Sequence, residues 1–178
     1  MQKYVALLRG INVGGNNKVE MSVLKKIFEE LGFSEVRTYI NSGNVIFTTE
    51  KNNSEEIINA IETAIHKKFK FSVRVVIRDA KNIQRLCKEI PSHWTNDTEQ
   101  KTDVLFLWDD YDTKNTLTII AKNPVVDTLL YSKGTIVWNV KRKNYKASGM
   151  RKFIGTPIYK NMTARNINTL RKLADLMK

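Results

Sequence analysis

Over its first 80 residues the chain reads as six segments of alternating apolar period, and their order constrains the fold more tightly than any single motif. Residues 3–9 read as a strand. Met21, Leu24, Ile27, Phe28 and Leu31 then recur at helical spacing and stop at Gly32, a residue suited to a helix C-terminus. Residues 36–41 and 45–49 flank Ser42-Gly43-Asn44, a tight-turn sequence, and so predict a hairpin. Asn53 with Glu56 three residues on predicts a capped helix whose Ile57, Ile58, Ile61, Ala64, Ile65 and Phe69 share one face. A strand over 73–78 closes the series. Strand-helix-strand-strand-helix-strand is the ferredoxin-like order, so residues 1–79 are expected to form a ferredoxin-like α+β unit.

Residues 80–101 read as a connecting helix (80–90) and a polar loop. Residues 102–178 then predict a second α+β unit, a smaller and degenerate repeat of the strand-helix-strand-strand pattern. Its strand covers 104–108, its helix 113–122, and its hairpin 127–131 with 135–140 around Ser132-Lys133-Gly134. The stretch from Tyr39 to Phe47 is similar to that from Tyr131 to Trp138, which points to an internal duplication. Residues 145–155 read as a loop or short helix, and 163–177 as a last amphipathic helix. On that helix Ile167, Leu170, Leu173, Ala174 and Met177 point one way, while Arg165, Asn168, Thr169 and Lys172 form a polar stripe. Residues 4–8 and 104–108 are apolar at nearly every position, so both faces of these strands are expected to be covered, by the two halves packing together or by a second chain. That leaves a homo-oligomer open and argues against an exposed RNA-binding sheet, which needs aromatics on an open face.

Charge is unevenly spread along the 178 residues. Residues 1–132 carry 18 Lys+Arg against 17 Asp+Glu, whereas residues 133–178 carry 12 against one, Asp175. Nearly all of the net +12 therefore sits in the last quarter, densest at Lys141, Arg142 and Lys143, with Lys146, Arg151 and Lys152 close behind. Such a block suits an anionic partner, and nucleic acid or a phosphate-bearing small molecule is the expectation. The lone Cys87, among Ile83, Leu86 and Ile90, reads as a small buried apolar residue and fits a reducing cytoplasm. No apolar run approaches the ~20 residues needed to span a bilayer, so a cytoplasmic protein with no membrane partner is expected.

The chemistry-bearing segments are few. The loop from Arg9 to Lys18 (Arg9-Gly10-Ile11-Asn12-Val13-Gly14-Gly15-Asn16-Asn17-Lys18) joins a strand to a helix, and can turn backbone N–H groups toward an anion beside a helix N-terminus. Arg9, Asn12 and Lys18 are its candidate anion ligands; no Gly-Lys-Ser/Thr follows, so it is not a P-loop. The competing reading is a loop whose glycines take positive φ and whose asparagines satisfy its own backbone. Ser42 and Asn44 form a separate, weaker candidate, because in the antiparallel plait their turn need not be adjacent to the loop; the two meet only if the long loop folds back or the other half of the molecule brings it there. Arg165, Asn168 and Lys172 extend the basic candidate surface of Lys141, Arg142 and Lys143. Asp109, Asp110 and Asp112 suit either Mg²⁺ or a helix cap and solvated turn. His66 and His93 lack neighbours at ligand spacing, so no metal site is assigned. Ser42 and Ser132 have no adjacent histidine; catalytic residues stay unknown, no cofactor is expected, and whether the chain is an enzyme is open.

Three ordered motifs carry a resemblance. They are the glycine loop, the run from Thr38 to Phe47, and Thr163-Ala164-Arg165-Asn166-Ile167-Asn168-Thr169. Together they make the chain similar, over essentially its whole length, to the bacterial domain-of-unknown-function family 1697. The resemblance implies a two-part α+β protein of ferredoxin-like character with no established activity. The chain departs from that family at Ile167, where an aromatic residue is usual, and near Gly149-Met150, where an Arg-Leu pair is common. Two functional readings follow: phosphates of nucleic acid held on the basic C-terminal surface, or a small anion, and with it an enzyme's substrate, held by the loop.

Overall fold

The run Tyr4 to Leu8 forms a strand because alternate side chains can be buried on both faces at once. Tyr4, Ala6 and Leu8 enter one core and Val5 and Leu7, on the opposite face, are equally shut from solvent. This strand, β1 (Gln2–Leu8), is followed by α1 (Met21–Glu30), β2 (Ser34–Tyr39), β3 (Asn44–Thr49), α2 (Ser54–Phe69) and β4 (Val75–Asp79). The four strands make one antiparallel sheet in the order β2-β3-β1-β4. Leu24 and Phe28 of α1 and Ile57, Ile61 and Ile65 of α2 cover one face. There Phe47 packs tilted against Phe33 and meets Phe28 edge-on, at centroid distances of 4.6 and 5.4 Å. α2 starts where Asn53 Oδ1 accepts the N–H groups of Glu55 and Glu56, as its capping sequence predicts.

The structure is a computed structural model that describes residues 1–15 and 17–178; Asn16, within the glycine loop, lies outside the described residues. The chain divides into a first unit, Met1–Ile83 with Asp175–Lys178, and a second, Gln84–Ala174. The division falls inside α3 (Ala80–Glu89) and inside the last helix, α6 (Ile167–Leu176). Within the second unit come β5 (Gln100–Leu107), α4 (Thr116–Ile119), β6 (Asp127–Ser132), β7 (Thr135–Lys141), α5 (Met150–Phe153) and β8 (Met162–Asn166). Short 3₁₀ turns cover Asp109–Tyr111, Arg142–Ala147 and Ile158–Asn161. The second sheet is also four-stranded and antiparallel, in the order β6-β7-β5-β8. The pairings of its central strand repeat those of the first, Val5 facing Ile46 and Arg78 and Val104 facing Val137 and Arg165, while the hairpins differ: Tyr39 pairs with Asn44 across a longer turn than the one that joins Ser132 to Thr135.

Four expectations need correction. The helix expected from 163 begins only at Ile167, because Met162–Asn166 pairs with β5 as a strand and Asn166 Oδ1 caps the N–H of Thr169 at 2.9 Å. The second unit therefore has a fourth strand and is not the smaller, three-stranded remnant of the sequence reading. The helix expected over 113–122 shrinks to the four residues of α4, since the β-branched run Thr116, Thr118, Ile119, Ile120 favours it little. Here Thr116 and Thr118 hydroxyls donate to the Tyr111 and Asn115 carbonyls, which competes with helix extension. Cys87 is half-buried, whereas Ile83 and Leu86 beside it are shut away.

Candidate anion-binding sites

The glycine loop of the first unit is shaped by left-handed backbone. Gly10, Asn12, Gly14, Gly15 and Asn17 all have positive φ, which glycine and asparagine adopt at least cost. Asn12 is its staple: Nδ2 donates to the carbonyls of Val19 and Asn41, both at 2.9 Å, and Oδ1 accepts the Val19 N–H at 2.8 Å. Both amide protons are therefore spent on the protein, and Asn12 has none to offer an anion. Asn44, fully buried, is spent likewise on Tyr39 O and Ser42 Oγ. The asparagines do what the competing structural reading asks of them.

The loop and the Ser42–Asn44 turn are neighbours, and it takes neither a folded-back loop nor the other half of the molecule to bring them together. The Leu8 N–H donates to Gly43 O at 2.8 Å, and Asn12 reaches Asn41. In an antiparallel pair the C-terminal end of β1 lies beside the N-terminal start of β3, and that start is where the turn delivers the chain. Gly43 is required there: its φ is +75°, and a Cβ would come within 2.7 Å of Leu8 Cβ and Ile11 Cδ1.

Between loop and turn lies a cleft of about 500 Å³, lined by Asn12, Gly15, Lys18, Glu20, Ser22 and Asn41, among others. It opens on the N-terminus of α1, whose cap residue Glu20 makes no side-chain capping hydrogen bond and whose first turn holds no acid. Lys18 lines this cleft and Arg9 does not; the Arg9 N–H donates to Arg74 O at 2.9 Å. The cleft combines uncapped backbone donors, the Ser22 hydroxyl and one ammonium, with the Glu20 carboxylate opposing them.

The basic segment of the second unit forms a different surface. Lys141 ends β7, and Arg142–Ala147 turns away as a 3₁₀ helix. Lys141, Lys143, Lys146, Arg151 and Lys152 are exposed. Arg142 is a clamp instead: Nε donates to Asp97 O and Nη2 to Asn96 Oδ1, fastening the loop before β5. In that loop the N–H groups of Glu99 and Gln100 donate to Asp97 Oδ1 at 2.7 and 2.8 Å, and hydrogen bonding holds its carboxyl below the usual carboxylate range. Asn168 is exposed and donates to Asn96 O, and Lys172 is exposed on α6. Arg165 does not join them. It lies buried in β8, donating to Thr163 Oγ1 and Ala164 O, and burial pushes its guanidinium down to about 10 against the influence of Tyr159. The polar stripe fails as well because Thr169 is buried.

From Thr113 to Ala174 the only acidic residue is Asp127. It is buried, and its oxygens accept the Ser148 hydroxyl at 2.5 Å and the N–H groups of Gly149 and Asn123 at 2.8 Å. Burial raises this carboxyl and the hydrogen bonds lower it; the bonds prevail, leaving it below the usual range and ionised. Asp112 is similarly engaged, accepting the Tyr131 hydroxyl at 2.9 Å and the Gly134 N–H at 2.5 Å. This favours the structural reading of that aspartate. No group of three or more His, Cys, Asp or Glu able to hold a metal ion occurs among the described residues. No described helix is long and apolar enough to cross a membrane. Sequence reasoning left Lys146, Arg151 and Lys152 off the candidate surface although their charge was plain, because exposure cannot be read from charge.

The family described as "Protein of unknown function (DUF1697)" matches residues 1–138, most of the chain. The chain belongs to the DUF1697 family. No curated protein matches this DUF1697 chain. It is similar to a solved structure described as conserved bacterial protein SP0830 from Streptococcus pneumoniae, at a TM-score of 0.85 and 28% identity over 99% of each chain.

Proposed function

We propose that this chain is a binding protein whose second unit takes the phosphate groups of a polyanion on the exposed cations between Lys141 and Lys152. One observation carries the reading: Lys141, Lys143, Lys146, Arg151 and Lys152 stand exposed within residues 113–174, whose single carboxylate, Asp127, is buried and hydrogen-bonded. Asp97 and Glu99 stand exposed beside Arg142, but among the described residues none of these five cations is ion-paired with a carboxylate, so released counterions would drive association with a phosphate backbone. Nucleic acid is the polymer to try first. Charge reversal at Lys141, Lys143 and Lys146 is expected to abolish retention on a duplex column at low salt with folding unchanged; unchanged retention overturns the reading. Arg142 is left alone because it clamps Asn96 and Asp97.

A second reading rests on the α1 cleft, where a small phosphate or carboxylate would meet uncapped N–H groups and Lys18. Lys18→Glu is expected to lower affinity for inorganic phosphate at least tenfold in a calorimetric titration, and absence of binding by the parent protein removes it. We further read each unit as a ferredoxin-like plait and the pair as an internal duplication. The matched strand orders and central-strand pairings support both, as do the shared tie from Leu8 to Gly43 and from Leu107 to Gly134 and the two arginines facing Val5 and Val104.

A further inference from the structure

Two segments of the second unit lie side by side and are stitched together. Asn123 Nδ2 donates to Ala147 O at 3.0 Å, and the Asn123 and Gly149 N–H groups share the Asp127 carboxylate. Gly149 approaches the backbone so closely that a Cβ there would fall 2.1 Å from Ala121 O. This pair of segments carries three aliphatic side chains that face water: Ile119 at 58% exposure, Val125 at 88% and Ile154 at 46%. Six exposed large hydrophobic residues are found among the described residues, and half of them are here. Lys122, Lys146, Arg151 and Lys152, all exposed, stand on the same two segments, and no exposed carboxylate accompanies them. Phosphate contact alone gives the aliphatic side chains nothing to do.

A surface that combines cations with projecting aliphatics matches one environment, the headgroup and upper acyl region of an anionic bilayer. Lysine and arginine meet lipid phosphates there, and short apolar side chains leave water a few ångströms deeper. We propose that this face, built from residues 119–125 and 146–154, docks the protein peripherally on anionic lipid. The proposal rests on the phosphate-binding reading of the basic segment and names the source of the phosphates. It revises the expectation of no membrane partner, because the length of an apolar run tests spanning and says nothing of docking.

The test is flotation of the full chain with vesicles of phosphatidylcholine alone or with one-third phosphatidylglycerol, alongside retention on duplex DNA at the same ionic strength. Anionic vesicles are expected to carry the protein and neutral vesicles to leave it behind. Replacing Ile119, Val125 and Ile154 together by Ser is expected to weaken vesicle binding at least about tenfold, from the apolar area no longer buried, with DNA retention unchanged. Reversing Lys146, Arg151 and Lys152 to Glu should weaken both. The serine variant's thermal unfolding is followed in parallel, and these exposed sites should leave it unshifted. If DNA is retained and neither vesicle binds, or the serine variant floats like the parent, the docking inference fails and the phosphate reading stands. If neither vesicles nor DNA bind, both fail.

Discussion

The two units share a sheet topology and the pairing of the central strand but cover one face of the sheet by different means. In the first, α1 and α2 run 10 and 16 residues and supply the cover from their own apolar faces. In the second, the corresponding face is covered by pieces of four residues each, α4 and α5, and Ile120, Met150 and Phe153 share one buried cluster with Trp138, the Phe153 and Trp138 ring centroids 5.5 Å apart. Helices this short contribute little stability of their own. Their place is fixed by tertiary ties, chiefly the Asp127 carboxylate and the close approach at Gly149. A long helix spreads its anchoring over many contacts, whereas a stitched cover concentrates it in a few groups.

The largest expected effect breaks that second cover outright. Gly149→Ala sets a methyl 2.1 Å from Ala121 O and 2.9 Å from Lys122 Cα, both backbone atoms that cannot swing aside. A loss of about 3 kcal/mol or more is expected in urea unfolding, at the upper end for overpacking. Gly32→Ala, at the end of α1 in the first unit, meets nothing within 4 Å and bears only the strain of φ +81°, so about 1 kcal/mol is expected. Equal losses at the two glycines would undo the contrast.

Asp127 is the next tie. Asp127→Asn turns an acceptor that serves three donors into an amide with protons of its own, leaving a buried donor unmatched at a cost of about 2–3 kcal/mol. Its pH dependence has a definite sign. The folded carboxyl lies below its ordinary value of 3.8, so its contribution is fully present above the unfolded pKa and is lost as pH falls through the folded one. Amide exchange at residues 147–153, taken relative to the intrinsic rate at each pH, should therefore quicken below about pH 4 in the parent. In Asp127→Asn it should be fast already at neutral pH, and a parent profile flat down to pH 2 would exclude the carboxylate as the anchor.

How much of this was legible in the sequence follows the same contrast. The first unit's elements could be read because its helices announce themselves by period, by the Asn53 cap and by Gly32. The second unit's cover has no period to read. Its order comes from Asp127, Ser148 and Gly149, whose association needs the sheet already formed, so nothing local marks them. β8 was hidden for another reason: the helical spacing from Ile167 onward extends back without penalty over Thr163 to Asn166, and only pairing with β5 decides against it. At the candidate sites, Lys18 and the basic run were visible as charge, while the spent amides of Asn12 and Asn44 and the burial of Arg165 were not.

A smaller effect sharpens the comparison where the units are most alike. After the first strand of each, a polar side chain ties the loop to the hairpin: Asn12 to Asn41 O, and Asp112 to Tyr131 and Gly134. The tie is common and its chemistry is reversed, because the first hairpin presents a carbonyl and the second presents donors. Asn12→Asp aims a carboxylate at two carbonyl oxygens and should cost about 2 kcal/mol, whereas Asp112→Asn keeps an oxygen for its donors and should cost about 1 kcal/mol. Thermal shifts of similar size for both would mean that these ties are interchangeable.

The smallest effect has the opposite sign and again separates the two hairpins. Approaching its turn, the first hairpin has Ile40 at φ +49°, a conformation that a β-branched residue adopts at a cost of roughly 1–2 kcal/mol. In the second hairpin only Gly134 has positive φ, where no such cost arises. Ile40 is 49% exposed, so its side chain returns only part of that cost through burial. Asparagine tolerates the left-handed region far better and keeps a Cβ, so it avoids the extra backbone freedom that glycine would add to the unfolded chain. Ile40→Asn is therefore expected to stabilise the chain by about 0.5–1 kcal/mol, read as a higher urea midpoint at unchanged slope. A lower midpoint would mean that the half of Ile40 hidden from water matters more than the strain of its backbone, and the first hairpin would then be held by side-chain burial where the second is held by glycine.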